Sequence, residues 1–284
     1  MATRLLATKL YIPPQRPNLV LRPRLSRRLG EALHLRHRLT LVSAKAGSGK
    51  TTLVSEWLHQ QERPATWLSL DANDNEARRF FSYLVAALRQ LEPKIGQTGL
   101  SLVEASELPQ AEDLVAELIN EVATVAVPVV LVLDDYHLIH EEWVHEAVGF
   151  LIEHQPPEMH LILITRVDPP LPLARLRGRG LITEFRDHDM RFTIEEAAQF
   201  LNEVMKLGLT AEIIRTLERR TEGWIAGLQM AAISMHGHTR EDDLQAFVTS
   251  FGGTNRYILD YLVEEVLNRQ APDVQDFLIE TTIL

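Results

Sequence analysis

The chain is 284 residues long, about 45% hydrophobic and 24% charged, with no cysteine and a formal charge of −10. This is ordinary globular composition, which excludes disordered, collagenous and low-complexity classes and, without cysteine, disulfide frameworks and thiol catalysis. The longest apolar run, Val125–Leu133, is too short to span a bilayer and contains Pro128, and Met1–Leu10 has no proper signal-peptide core, so a soluble cytoplasmic protein is expected.

Charge is unevenly spread. Residues 1–45 hold ten Lys/Arg against the single acid Glu31, so the rest of the chain carries −19. A basic head needs an acidic partner: nucleic acid, a nucleotide, or the acidic body itself. Pro13, Pro14, Pro17 and Pro23 argue against long helices there, leaving short helical turns around Leu25–Leu35. The apolar run Leu39–Ala44 predicts a buried strand entering a glycine-rich loop, and Thr51–Gln61 follows with helical spacing. Further strands are predicted at Thr66–Leu70, Val129–Leu133, His160–Ile164 and Ile182–Phe185. Helices are predicted at Ala77–Leu91, Glu112–Val122 and Glu142–His154. Strands alternating with amphipathic helices make a parallel sheet with helices on both faces.

The pattern changes near residue 190. Thr193-Ile-Glu-Glu196 is a capping box, and helical segments follow at Glu195–Met205, Ala211–Arg219, Trp224–Met235, Arg256–Asn268 and Val274–Thr281. Gly252 and Gly253 suggest a second joint at Phe251–Asn255. The expected divisions are a basic segment 1–38, an α/β domain 39–190, a helical domain 191–253, and the start of a further region at 254–284. An apolar helix running up to Leu284 suggests a piece of a longer protein.

Three motifs carry chemistry. Ala44-Lys-Ala-Gly-Ser-Gly-Lys50-Thr51 fits the phosphate-binding P-loop, with Ala44 in place of the first glycine. Small residues let backbone N–H groups converge on phosphate oxygens, Lys50 supplies a point charge, and the Thr51 hydroxyl is a Mg²⁺ ligand. Val129–Leu133 leads into Asp134 and Asp135 at the carboxyl edge of the expected sheet, where ligands bind. Asp134 fits a Walker B magnesium carboxylate, and Asp135 fits a residue that orients water. Thr165-Arg166-Val-Asp168 ends the next strand. If that strand lies between the other two, Arg166 comes beside Lys50 as a γ-phosphate sensor; otherwise it bridges to a surface acid. A guanine-reading role for Thr165–Asp168 is disfavoured because Arg166 replaces lysine and Asp134–His137 lacks a switch glycine. His140 and His145, five apart, leave one helical face and make a poor zinc pair. Arg175, Arg177 and Arg179 read as a solvated basic loop, and His34, His37, His236 and His238 as solvated side chains.

Longer runs resemble a known family. Leu131-Val-Leu-Asp-Asp-Tyr-His-Leu-Ile139, Thr165–Leu176, Arg191–Ala198, Arg220–Leu228, Tyr257–Val266 and the start Lys9–Leu25 are similar to the MalT-like, ATP-dependent LuxR-type regulators, a branch of the STAND P-loop NTPases. The resemblance implies an AAA-like (ASCE) nucleotide-binding domain, an all-α helical domain and the beginning of a winged-helix region. It implies a nucleotide switch that rests with ADP, self-associates with ATP, and resets by slow hydrolysis. Inducer and promoter DNA would engage C-terminal domains lying outside this chain, with no membrane partner. Carried over to this sequence, Gly47, Ser48, Gly49, Lys50 and Thr51 hold phosphates with Thr52 near the α-phosphate. Thr51 and Asp134 hold Mg²⁺, while Asp135, Lys50 and Arg166 serve hydrolysis. Val20, Leu21 and Arg22 fall in the segment that cups adenine in related ATPases. Gly223–Gly227 lies where relatives place a nucleotide-facing motif; Trp224 has helix core as its plainer role. The alternative function is a steady-turnover P-loop ATPase of remodelling type, unlinked to transcription.

Overall fold

The computed structural model describes residues 5–103, 108–125, 128–235, 247–248, 251, 256–267 and 274–275. The helix expected at Val274–Thr281, the joint at Phe251–Asn255, most of the region from residue 254, and His236 and His238 fall wholly or largely outside these residues. The chain divides into two compact units. The first comprises Met1–Gln15, Arg22–Lys45 and Lys50–Asp189, and the second Arg16–Leu21, Ala46–Gly49 and Met190–Leu284.

The first unit is built on five parallel strands: β1 (Leu39–Ser43), β2 (Ala65–Ser69), β3 (Val129–Asp134), β4 (Met159–Thr165) and β5 (Ile182–Phe185), in the order β2-β3-β4-β1-β5. β4 therefore separates the P-loop strand β1 from the Walker B strand β3, with Val42 beside Ile164 and Ser43 beside Thr165. The central strands β1, β3 and β4 are buried along their whole length, as a parallel sheet covered on both faces requires.

The helices of this unit, in chain order, are α1 (Pro23–His34), α2 (Lys50–His59), α3 (Ala77–Leu88), α4 (Gln97–Val103), α5 (Ala111–Val122), α6 (Glu142–His154), α7 (Leu173–Gly178) and α8 (Asp187–Met190). One sheet face sets Leu41, Leu131, Leu133, Leu161 and Leu163 in a core with Phe80, Phe81, Leu114, Leu118, Val148 and Leu151 of α3, α5 and α6. Val42, Val132, Ile162 and Ile164 on the other face are equally buried, which leaves α1 and α2, with buried Leu25, Leu29, Leu53 and Trp57, to cover them.

Two expectations need correction. The proline-bearing head holds a three-turn helix, because Pro23 occupies the first helical position, where its missing N–H was unpartnered anyway and its fixed φ favours a start. The arginines at 175–179 are exposed, as expected, but the segment is not all loop. Arg175 and Arg177 lie on α7 and pair with Glu153 (2.6 Å) and Glu184 (2.8 Å). The basic head finds its partner within the same unit. Lys9 bonds Asp71 and Asp74, Arg28 bonds Asp189, and the Arg38 guanidinium donates to the carbonyls of Ile152 and Glu153 at the end of α6.

The second unit is helical: α9 (Ile194–Ala198), running into a π-turn at Gln199–Val204, α10 (Ala211–Thr221), α11 (Ile225–Met235) and α12 (Arg256–Glu265). The capping box forms as expected, with the Thr193 Oγ1 accepting from Glu196 N–H (3.2 Å) and Glu196 Oε2 from Thr193 N–H (3.1 Å). Leu201, Ile213, Leu217, Leu228 and Ala231 form its core together with Val20.

Candidate nucleotide site

The site begins where β1 stops. Ala44 still donates its N–H to Thr165 O (3.3 Å) and is absent from the positive-φ residues, so glycine's freedom is not needed there; this accounts for the departure from the usual P-loop pattern. Gly47 and Gly49 do need it, with φ of 66° and 83°. At Gly47 an added Cβ would also come within 2.6 Å of Ala226 Cβ. The loop ends in α2, whose first residue is Lys50 and whose N-terminal N–H groups face anions favourably.

Lys50 is buried, and its ammonium donates to the carbonyls of Ala44 (2.7 Å) and Lys45 (3.0 Å). Burial, then the nearby Arg166 charge, lower its pKa to about 8 against the pull of Asp134, Asp135 and Asp187. Asp134 is 3% exposed at the end of β3. It accepts from Thr51 Oγ1 (3.0 Å) and from the Asp135 N–H (2.9 Å). Burial, then the Asp135 charge, raise its pKa to about 7. Asp135 itself adopts the left-handed conformation (φ 57°, ψ 35°), a strained state for a non-glycine residue. Its carboxylate is half-exposed, 4.0 Å from His137 Nδ1, and near enough for its charge to act on both Asp134 and Lys50.

These residues fit a nucleotide with a divalent cation. Ser48 Oγ is buried without a hydrogen-bond partner among the described residues, a hydroxyl donor that a phosphate oxygen would satisfy. Thr51 and Asp134 offer two hard oxygens on adjoining elements, the donor type Mg²⁺ takes. Thr52 is half-buried one residue along α2. Arg166 follows the last paired residue of β4, close enough for its charge to act on Lys50. Val20, Leu21 and Arg22 are not held alike: Val20 is buried in the core of the second unit, Leu21 is exposed, and Arg22 is a buried residue of the first unit at the start of α1. His140 and His145 form no metal cluster among the described residues; His145 Nδ1 instead bonds the buried Tyr136 hydroxyl (2.9 Å).

Two sets of contacts escaped sequence reasoning. Asp187, at the start of α8, accepts from the Lys45 N–H (2.8 Å) and so ties down the entry to the loop. Within the second unit, which includes Ala46–Gly49, the Trp224 indole donates to Ala46 O (3.0 Å) and the Ala226 N–H to Gly47 O (3.2 Å). Trp224 thus does more than fill a helix core. No local spacing signals either contact, because the partners are more than a hundred residues apart.

Comparison with known proteins agrees with this geometry. A family model described as AAA ATPase domain matches residues 18–164. The chain is 35% identical over 281 residues to the HTH-type transcriptional regulator MalT of Serratia proteamaculans and 34% identical to that of Klebsiella pneumoniae, in each case over 99% of its own length. It is 32% identical over 278 residues to MalT of Vibrio cholerae. It spans about a third of the length of these relatives, 30–31%. Among solved structures, a Walker-type ATPase of Pyrococcus abyssi matches with a TM-score of 0.55 at 15% identity, covering 91% of this chain and 78% of that one. A STAND protein with a tetratricopeptide repeat sensor from Pyrococcus horikoshii matches with a TM-score of 0.50 at 18% identity, covering 83% and 33%. The parallel sheet, its strand order, the P-loop and the family match lead to one conclusion: this chain belongs to the AAA ATPase domain family, in a form similar to the corresponding third of MalT transcriptional regulators.

Proposed function

We propose that this chain is the ATP/ADP switch module of a signal-responsive, MalT-like transcriptional regulator in the cytoplasm. The observation that carries the proposal is the buried pair Lys50 and Asp134 with the half-buried Thr51 beside them, the two charged groups hydrogen-bonded to loop carbonyls, a hydroxyl and a backbone N–H. Such a site is completed by a polyanion and a divalent cation. The glycine loop and Ser48 receive phosphate oxygens, Lys50 leaves its loop carbonyls for the β- and γ-phosphates, and Thr52 lies toward the α-phosphate. Thr51 and Asp134 hold Mg²⁺, which neutralises charge on the phosphates when bound. Asp135, half-exposed beside Asp134, orients the attacking water. Arg166 sets a positive charge at the γ-phosphate side, and the segment Val20–Arg22 borders the base.

The domain divisions at 39–190, 191–253 and 254 onward, self-association in the ATP state, and coupling to inducer and promoter DNA through further domains belong to the same proposal. They are supported by similarity to MalT across nearly the whole chain. Mass spectrometry of the nucleotide released on denaturation tests it: bound ADP and turnover below about 1 s⁻¹, the low end of ordinary enzymes, are expected. GDP, or no nucleotide at all, would overturn the adenine-switch assignment. Faster turnover without any inducer would favour a steady-turnover remodelling ATPase.

A further inference from the structure

At the amino-terminal edge of the sheet, opposite the P-loop edge, a cavity of about 310 Å³ opens among the end of α1, the segment entering β2, and the starts of β3 and β4. Its chemistry is basic. His34, Arg36, His37, Arg63 and His160 line it, against one acid among the described lining residues, Glu158. In a chain of net charge −10 such a concentration runs against composition. Elsewhere in the same unit arginines are engaged: Arg28, Arg38, Arg175, Arg177 and Arg186 all bond carboxylates or carbonyls. The Arg36 and Arg63 side chains make no ion pair with any described residue.

Local backbone geometry holds the cationic wall in place. Arg36 adopts φ 55° just past α1, where His37 N–H closes back to Ala32 O (3.0 Å). Glycine normally takes this helix-ending position, so an arginine there is kept against a conformational cost. His37 is fixed by its Nδ1 contact with Thr183 Oγ1 (2.7 Å), and His160 by its contacts to His37 O and Thr40 Oγ1.

We propose that this cavity binds a small polyvalent anion of phosphate or pyrophosphate type, gripped by the guanidinium forks of Arg36 and Arg63. Guanidinium groups meet phosphate oxygens two at a time, and a concave, one-signed wall focuses the field on such a ligand. The volume lies at the bottom of the range for ligand pockets, about 300–1,000 Å³, which suits a di- or triphosphate-sized anion and not a whole nucleotide. The same field is felt by the buried His160, whose charged form is disfavoured first by burial and further by His37 and Arg63.

The test is calorimetric titration of inorganic pyrophosphate, in metal-free buffer, into the chain saturated with ADP and into a Lys50→Ala variant, so that the P-loop is occupied or disabled. One equivalent should bind in both. Arg36→Ala/Arg63→Ala should weaken that binding by about tenfold or more, as expected when charge-assisted hydrogen bonds are removed, with thermal midpoint and ADP binding unchanged. The control Arg215→Ala/Arg219→Ala removes equal charge from exposed positions of α10 and should leave it intact. Absence of pyrophosphate binding to the ADP-saturated chain would overturn the proposal. So would binding that is indifferent to Arg36 and Arg63, or equal loss in the control.

Discussion

The two edges of the central sheet bury ionisable groups to opposite ends. At the carboxyl edge, Lys50 and Asp134 are pushed toward neutrality, to about 8 and about 7, chiefly by loss of water. At the amino edge, His160 is pushed the same way by the same cause, to about 4. The difference lies in the neighbours. His160 Nδ1 faces the His37 carbonyl, which can only accept, so Nδ1 carries the proton and Nε2 accepts from the Thr40 hydroxyl; the neutral ring is fully matched. Lys50 has carbonyls of its own loop, and Asp134 a hydroxyl and one N–H, partners that a phosphate and a cation can replace. A perturbed group therefore marks a functional site only when its present partners are exchangeable.

Removing the exchangeable charge should have the largest effect. Lys50→Ala is expected to lower ATP affinity about 100-fold or more, the sum of two or three charge-assisted hydrogen bonds, and to abolish hydrolysis. Tight ATP binding by this variant in calorimetry would sink the phosphate assignment of this edge. Asp135→Ala comes next. Its carboxylate is half-exposed and makes no hydrogen bond to Lys50, Thr51 or Asp134 among the described contacts, so ATP affinity should stay within a few-fold while single-turnover hydrolysis falls about 100-fold, the usual cost of losing a positioned base or water-orienting group. Unchanged hydrolysis would remove Asp135 from the chemistry.

Much of the carboxyl edge was legible because its chemistry is local in sequence. The P-loop and the Asp134-Asp135 pair each lie within eight residues, and short strand-like segments, solidly apolar at Val129–Leu133, located the five strands to within about one residue of their ends. The position of β4 was left as a condition on the sensor reading of Arg166, and the strand order meets that condition. The amino edge had no such signature. Its basic wall is gathered from three separate segments, and a lone His160 in an apolar strand carries no hint of Thr40 or His37 beneath it. The helices α4 and α7 were missed because they are short and contain or adjoin glycine, proline or clustered arginine, so that tertiary packing and ion pairs, not propensity, settle them. Asp187 was invisible for a related reason: its contact at Lys45 spans 142 residues.

The matched group predicts a pH effect on stability in place of one on binding. His160 has a folded pKa of about 4 against 6.5 when free. Between these values the unfolded chain takes up a proton that the folded chain refuses. The stability this group contributes is thus complete above pH 6.5, is lost as pH falls toward 4, and changes no further below that. The expected loss is about 3 kcal/mol. Urea unfolding of the wild type and of His160→Asn at pH 7 and pH 4.5 isolates it, since the other titrating groups are common to both. A pH dependence of the same size in His160→Asn would assign the loss elsewhere.

The smallest effect belongs to charges at neither edge. Arg175 on α7 pairs with Glu153 on α6 at 2.6 Å, with the arginine more than half exposed. Solvent screens such a pair, and both side chains surrender rotamer freedom to keep it, so exposed bridges contribute about 0.2–1 kcal/mol. Arg175→Ala should accordingly shift stability by no more than about 0.5 kcal/mol and leave ATP affinity and hydrolysis as they are. If this variant impaired nucleotide binding, the arginine-rich segment would have to reach the phosphates after all, and exchangeability of buried partners would no longer suffice to separate working charges from structural ones.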